Sequence, residues 1–249
     1  MVKSIGKYFI FLGTLFTNRE SFRTYVKLFF DESVKVGTDS IILVTIVSVF
    51  MGAVTTIQTA YNLVSPLIPD YVVALVVRDM VLLELSPTII GIIFAGKVGS
   101  NIAGELGTMR ITEQIDALEV MGLNSSSYLI LPKLLATLFT FPLLVIFSAF
   151  LSLLGGYMAA EFTGVITPQA YIFGIQNELN EFMVLFAMIK AVVFAFLVAT
   201  ISSYMGYFTT GGALEVGKAS TSAVTNSVIA ILAADYLLAQ LLAQYLVSF

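Results

Sequence analysis

Cysteine and histidine are both absent from the 249 residues, which removes disulfides, thiolate nucleophiles and the commonest zinc ligands from consideration. Charge is nearly as scarce. Lysine, arginine, aspartate and glutamate make up 11% of the chain against 58% hydrophobic residues, where a soluble domain carries roughly 25% charged residues. No hydrophilic block is large enough for a second, soluble domain, and no G-x-x-x-x-G-K-[ST] phosphate loop occurs, so any ATP hydrolysis must come from another chain. No serine stands in a recognisable nucleophile setting, and Asp79 and Glu84 are five apart rather than the three or four that would place them on one helical face. Hydrolysis by this chain is therefore not expected, no catalytic residue is assigned, and no metal site is foreseen. The net charge of −4 says little about partners, and no nucleic acid is expected among them.

What is present is apolar and long. With a mean hydropathy of +0.97 and several runs of the roughly 20 residues that cross a 30 Å hydrocarbon core, the chain reads as an all-α integral membrane protein with five transmembrane helices. The first is expected from Ser40 to Ala60, followed by the turn residues Asn62, Ser65, Pro66, Pro69 and Asp70. The second begins near Tyr71 and stays helix-compatible to about Gly104, longer than a bilayer needs, with Pro87 as its expected bend. The third runs from about Tyr128 to Ala160, the fourth from Phe182 to Tyr204, and the fifth from Thr221 onward, after a Gly-rich turn GYFTTGGALEVGKAS. Between the third and fourth, Thr167-Pro168 opens a short helix over Gln169 to Leu179, since proline suits the first helical position.

Residues 1–37 read as an N-terminal interfacial elbow ahead of a single transmembrane domain, 38–249. Phe22, Val26, Phe29 and Phe30 fall on one face and Arg19, Arg23 and Lys27 on another. The opening MVKSIGKYFIFLGTLF has no A-x-A site and leads into a charged helix, so it is not read as a signal peptide. Lys3, Lys7, Arg19, Arg23, Lys27, Lys35, Arg110, Lys133 and Lys218 fall on one side of a five-span topology, while residues 61–70 and 161–181 carry no lysine or arginine. By the positive-inside rule the N-terminus is expected in the cytoplasm.

The stretch from Glu84 to Gly122 organises the rest. Gly91, Ala95, Gly99, Ala103 and Gly107 form a row of small residues, with Gly96, Ser100, Gly104 and Thr108 beside it; such rows let another helix approach closely in lipid. From Thr112 the character changes. Ile111, Ile115 and Leu118 share one face of a short helix, about residues 109–121, and Glu113, Asp116 and Glu119 share another. Thr112 is a candidate cap, Glu113 falls in the first turn, and Gly122 suits the C-terminal stop.

In the wording ELxPxxxGxxxAGxxGSxxAxELGTMRxTEQIDAL this stretch resembles the MlaE/YrbE-type permease family, the membrane subunits of MCE-linked ABC transporters that move lipids. The resemblance extends over nearly the whole chain and is weakest before residue 40. It implies that the short helix is a coupling helix docking on a separate cytoplasmic ABC ATPase through Arg110, Glu113, Gln114, Asp116 and Glu119, with ATP and Mg held by that partner and no cofactor in this chain. It also implies a substrate cavity between two protomers near Glu84, Leu83 and Pro87, phospholipid as the cargo, an MCE-domain protein and in many systems a small cytoplasmic regulatory subunit as further partners, and a place in a bacterial inner membrane. A single coupling helix per chain makes a homodimer the expected assembly.

Ionisable groups inside a span are expensive and usually face a cavity or one another. Arg78 and Asp79 are shallow enough to reach the interface, whereas Glu84, Lys190 and Asp235 are deeper. Consecutive spans tend to be neighbours, so Lys190 and Asp235 are expected to pair and to fix the fourth span against the fifth. The other reading of Arg78, Glu84, Lys190 and Asp235 is a relay in a stand-alone ion-coupled carrier.

Overall fold

The computed structural model describes residues 2–15, 22–63 and 68–246. Arg19, Ser65, Pro66 and the side chains of Lys3 and Phe22 lie outside the described residues. The described chain is helical with short connections: α1 Val2–Thr14, α2 Phe22–Asn62, α3 Tyr71–Ile111, α4 Gln114–Val120, α5 Ser125–Thr163, α6 Pro168–Gln176, α7 Glu181–Tyr207 and α8 Ala213–Leu246. Helices α2, α3, α5, α7 and α8 are long and apolar enough to cross a membrane.

Three boundaries differ from the sequence reading. The interfacial helix and the first span form one unbroken helix, α2, because nothing between Val36 and Ser40 interrupts the backbone ladder and Thr38 Oγ1 merely donates back to the Val34 carbonyl. Helix α3 carries two wide, π-type segments, Val81–Ile89 around Pro87 and Ala95–Gly99. A wide turn re-pairs the groups that a proline would orphan in an α-helix. Helix α8 starts at Ala213, eight residues before Thr221: the turn is made by Gly211, at φ 115°, and the following Ala-Leu-Glu-Val favours helix enough to carry the lone Gly217. Helix α6 begins as expected, with Pro168 in its first turn and Thr167 Oγ1 accepting from the Ala170 N–H at 3.3 Å.

Two compact units share the long helices. One comprises Met1–Ser40, Gly91–Phe141 and Val192–Ala234; the other comprises Ile41–Ile90, Pro142–Ala191 and Asp235–Phe249.

In the second unit α2 and α5 meet backbone to backbone. A Cβ on Gly52 would lie 1.7 Å from the Ser152 carbonyl oxygen, and one on Gly155 would lie 2.1 Å from that of Val49. Ser48 Oγ donates to Ser148 Oγ across the same crossing at 2.8 Å. Small residues here do what packing in lipid requires. Beside them Tyr171 of α6 is fully buried and donates to the Leu153 carbonyl at 3.1 Å. Burial pushes its phenol up to about 12. Arg78, expected to reach the interface, is 1% exposed. It donates to Asp79 Oδ1 and to the carbonyls of Ile175, Asn177 and Glu178, closing the C-terminal end of α6. A guanidinium with that many fixed acceptors has no reason to seek water.

In the first unit α1 packs on the end of α7. Phe11 stacks edge-on with Tyr204 and Phe208 and tilts against Tyr207, and Tyr8 OH lies 2.6 Å from Thr200 Oγ1. Burial raises the Tyr8 phenol above its ordinary value.

Candidate functional site

The second unit is centred on Lys190, whose side chain is wholly buried on α7. Its ammonium donates to Glu84 Oε2 at 2.7 Å and to the Leu83 carbonyl at 2.9 Å, and it is ion-paired with Asp235 Oδ1 at 2.6 Å. The Leu83 group is a backbone carbonyl in the wide turn around Pro87, whose oxygen has a second lone pair for the lysine. The Pro87 ring buries against the protein while Lys190 serves the carbonyl. Lys190 also stands 5.0 Å from the centroid of the Phe186 ring, a further favourable site for a cation. An unpaired charge at this depth would cost several kcal/mol; the clamp removes that penalty and ties α3, α7 and α8 together.

Lys190 and Asp235 thus lie together, and Glu84 joins them. Asp235 is almost buried, and the Glu84 side chain is half exposed. One carboxylate oxygen of Glu84 binds Lys190 while Thr88 Oγ1 donates to the other at 3.3 Å. The cluster therefore presents one anchored carboxylate to the surroundings, with Leu83 partly buried beside it and Pro87 closed off within the protein. Such a group accepts hydrogen bonds or meets a cation.

The short helix α4 is held in place by its own charges. Thr112 does not cap it. Thr112 Oγ1 donates back to the Thr108 carbonyl, and the N-cap is Glu113 in a left-handed conformation, φ 60°, so α3 ends and α4 begins at a single strained joint. Arg110 Nη1 donates to Asp116 Oδ1 at 2.6 Å, with its guanidinium carbon 5.9 Å from the centroid of the Tyr207 ring. Glu119 Oε1 accepts from Ser125 Oγ at 2.8 Å and from Tyr207 OH at 3.0 Å. Asp116 and Glu119 of the expected acidic stripe thus carry bonds within the chain while staying exposed, and Glu113, Gln114, Val120 and Met121 are exposed beside them. Ile115 is fully buried, and Gly122, at φ 82°, provides the stop.

The two small-residue rows differ. A Cβ on Gly91 would meet Phe194 at 3.2 Å, one on Gly99 would meet Ser202 Oγ at 2.8 Å, and one on Gly107 would meet Val216 at 3.2 Å, while Ala95 and Ala103 are fully buried. This row is packed against α7 and α8. In the other row Gly96 has nothing within 4 Å, whereas a Cβ on Gly104 would meet Ser220 Oγ at 3.3 Å. The sequence reading missed the tighter crossing of α2 and α5, although Ser48, Gly52 and Thr56 and Ser148, Ser152 and Gly156 are spaced by four as plainly as the row it chose. It also missed a second buried lysine. Lys133, counted only as a loop charge, is 4% exposed and bridges Glu32 Oε1 at 2.9 Å and Glu105 Oε2 at 2.7 Å.

Five membrane-length helices and an internally neutralised lysine within them define a multi-pass membrane protein. Comparison narrows the class. The model of a family described as Permease MlaE matches residues 29–241. A Rickettsia bellii protein described as a probable ABC transporter permease protein is 36% identical over 241 residues, 97% of this chain and 93% of that one. A Synechocystis sp. protein with the same description is 33% identical over 213 residues, 84% and 79% of the two chains. The chloroplastic Arabidopsis thaliana protein named Trigalactosyldiacylglycerol 1 is 36% identical over 155 residues, 62% of this chain and 44% of that one. The chain belongs to the MlaE permease family and is an ABC transporter permease.

Proposed function

We propose that this permease is the membrane subunit of an ABC lipid transporter, working as a homodimer that binds phospholipid near Glu84 and exchanges it with an MCE-domain partner. The observation that carries the reading is the Lys190 clamp, which holds a half-exposed carboxylate in place within an apolar helix bundle. A fixed polar anchor in apolar surroundings suits an amphiphile, whose head needs one or two bonds and whose tails need none. The name of the plant relative, that of a glycerolipid, points the same way. In this reading a cytoplasmic ATPase, which holds the ATP and Mg, moves α4 by docking on Glu113, Gln114 and the apolar tip Val120–Met121. Arg110, Asp116 and Glu119 hold that helix in position. Residues 1–37 form the elbow of a single permease domain, the N-terminus lies in the cytoplasm, and the protein sits in a bacterial inner membrane, serving lipid trafficking and outer-membrane asymmetry. A small regulatory subunit completes the assembly.

The test is co-purification from the native membrane followed by mass spectrometry. The expected result is a complex with two copies of this chain, an ATPase and bound phospholipid. A stable, active single chain without an ATPase or lipid would contradict it.

A further inference from the structure

The first unit contains a polar cleft of about 410 Å³ between α2 and α3, within the range of roughly 300–1,000 Å³ usual for ligand sites. Glu32, Lys35 and Asp39 line it from α2, and Lys97, Asn101 and Glu105 line it from α3. Lys133 of α5 is ion-paired with two of these lining residues, Glu32 and Glu105.

Two charges in the cleft lack a counter-charge. The Lys97 ammonium donates to the backbone carbonyl of Asp39, and no carboxylate among the described residues lies within 4.0 Å of it. One contact leaves two of its N–H donors for a ligand. The exposed Asp39 carboxylate likewise meets no cation among the described residues within that distance. The uncharged stretch of α2 starts at Ser40, immediately after Asp39, so the cleft opens where an apolar span ends and headgroups begin.

We infer that this cleft binds the zwitterionic headgroup of a phospholipid from the leaflet at that level, Lys97 and Lys35 taking the phosphate and Asp39 and Glu105 the ammonium. The inference rests on the lipid reading above and adds a second lipid position, in the unit that does not contain Glu84. A lone anion would satisfy Lys97 and leave Asp39 unpaired; a lone cation would do the reverse. A zwitterion answers both. Lys133 serves as the positioning residue, holding two carboxylates apart so that the cleft does not collapse into internal ion pairs.

The test uses the full transporter complex in nanodiscs of phosphatidylethanolamine and phosphatidylglycerol, with a photo-crosslinking amino acid in place of Asn101 and, separately, of Leu85. Capture of phosphatidylethanolamine at residue 101 is expected, falling about tenfold in Lys97→Gln and in Asp39→Asn, the factor that one charge-assisted bond supplies, and returning in Lys97→Arg. Capture at residue 85 should be unchanged by all three. Capture at 85 but not at 101 overturns the inference and spares the proposed function; capture at neither overturns both. Equal capture of phosphatidylglycerol at 101 overturns the zwitterionic assignment. Loss of capture when millimolar inorganic phosphate or phosphoethanolamine is added shows a site for soluble ligands and overturns the lipid one.

Discussion

Each unit contains one buried lysine between two carboxylates, and the two clamps are built to different standards. Lys190 has no exposure, a carbonyl as a further acceptor and one carboxylate, Asp235, nearly buried with it. Lys133 is 4% exposed, its partner Glu105 is 43% exposed, and Lys35 stands 3.2 Å from Glu32 and 3.9 Å from Glu105 as a reserve cation. Helix α3 contributes to both, Glu84 to one and Glu105 to the other. The contrast teaches that a buried charge inside an apolar span has to be fully satisfied by the protein, whereas one at the span's end can share its partners with water or with a headgroup.

The strongest way to break this comparison is at the α2–α5 crossing. Gly52→Leu should yield no folded protein in detergent, judged by monodisperse elution, because the Ser152 backbone cannot retreat. Normal recovery would show that the crossing is looser than drawn. Next comes Lys190→Ala, which strands two carboxylates and should cost about 3–5 kcal/mol in reversible unfolding from bicelles. Lys133→Ala should cost about half as much, since Lys35 remains, and the pair Lys190→Asp with Asp235→Lys should recover part of the first loss. Equal costs for the two lysines would erase the distinction. A smaller effect is expected at Gly99→Leu, about 1–3 kcal/mol as Ser202 and Val198 yield, with Gly96→Leu near zero; the reverse order would mean that Gly96 and not Gly99 stands at the packed contact. The smallest effect on stability is expected from Glu113→Lys combined with Gln114→Lys, under about 0.5 kcal/mol for exposed groups. Yet co-purification of the ATPase should be lost, and its retention would rule out docking on this face.

The five spans were legible because membrane crossing is written in length and hydropathy, and the α6 start because Thr-Pro carries a local cap. The pairing of Lys190 with Asp235 was foreseen from the cost of leaving either alone. That Glu84 completes the cluster was not foreseen, because depth along three separate helices decides it. Lys133, Glu32 and Glu105 escaped notice because charges near span ends are usually solvated, and sequence alone does not show which of them turn inward. Arg78 was misplaced for the matching reason: the carbonyls that bury it belong to a loop about 100 residues away. The acidic stripe of α4 was correct as spacing, but Tyr207 and Ser125, remote in sequence, engage half of it.

The most direct measurement is phospholipid transfer by the complex reconstituted in proteoliposomes, followed with a fluorescent phospholipid, for the natural chain and for Glu84→Arg. Under the proposed function Lys190, buried between two carboxylates, is a fixed anchor. Transfer should therefore require ATP, persist when a protonophore collapses the gradient, and stop in Glu84→Arg while the complex stays assembled. Transfer that proceeds without ATP and ceases with the gradient would contradict this and make the same ionisable groups the relay of an ion-coupled carrier.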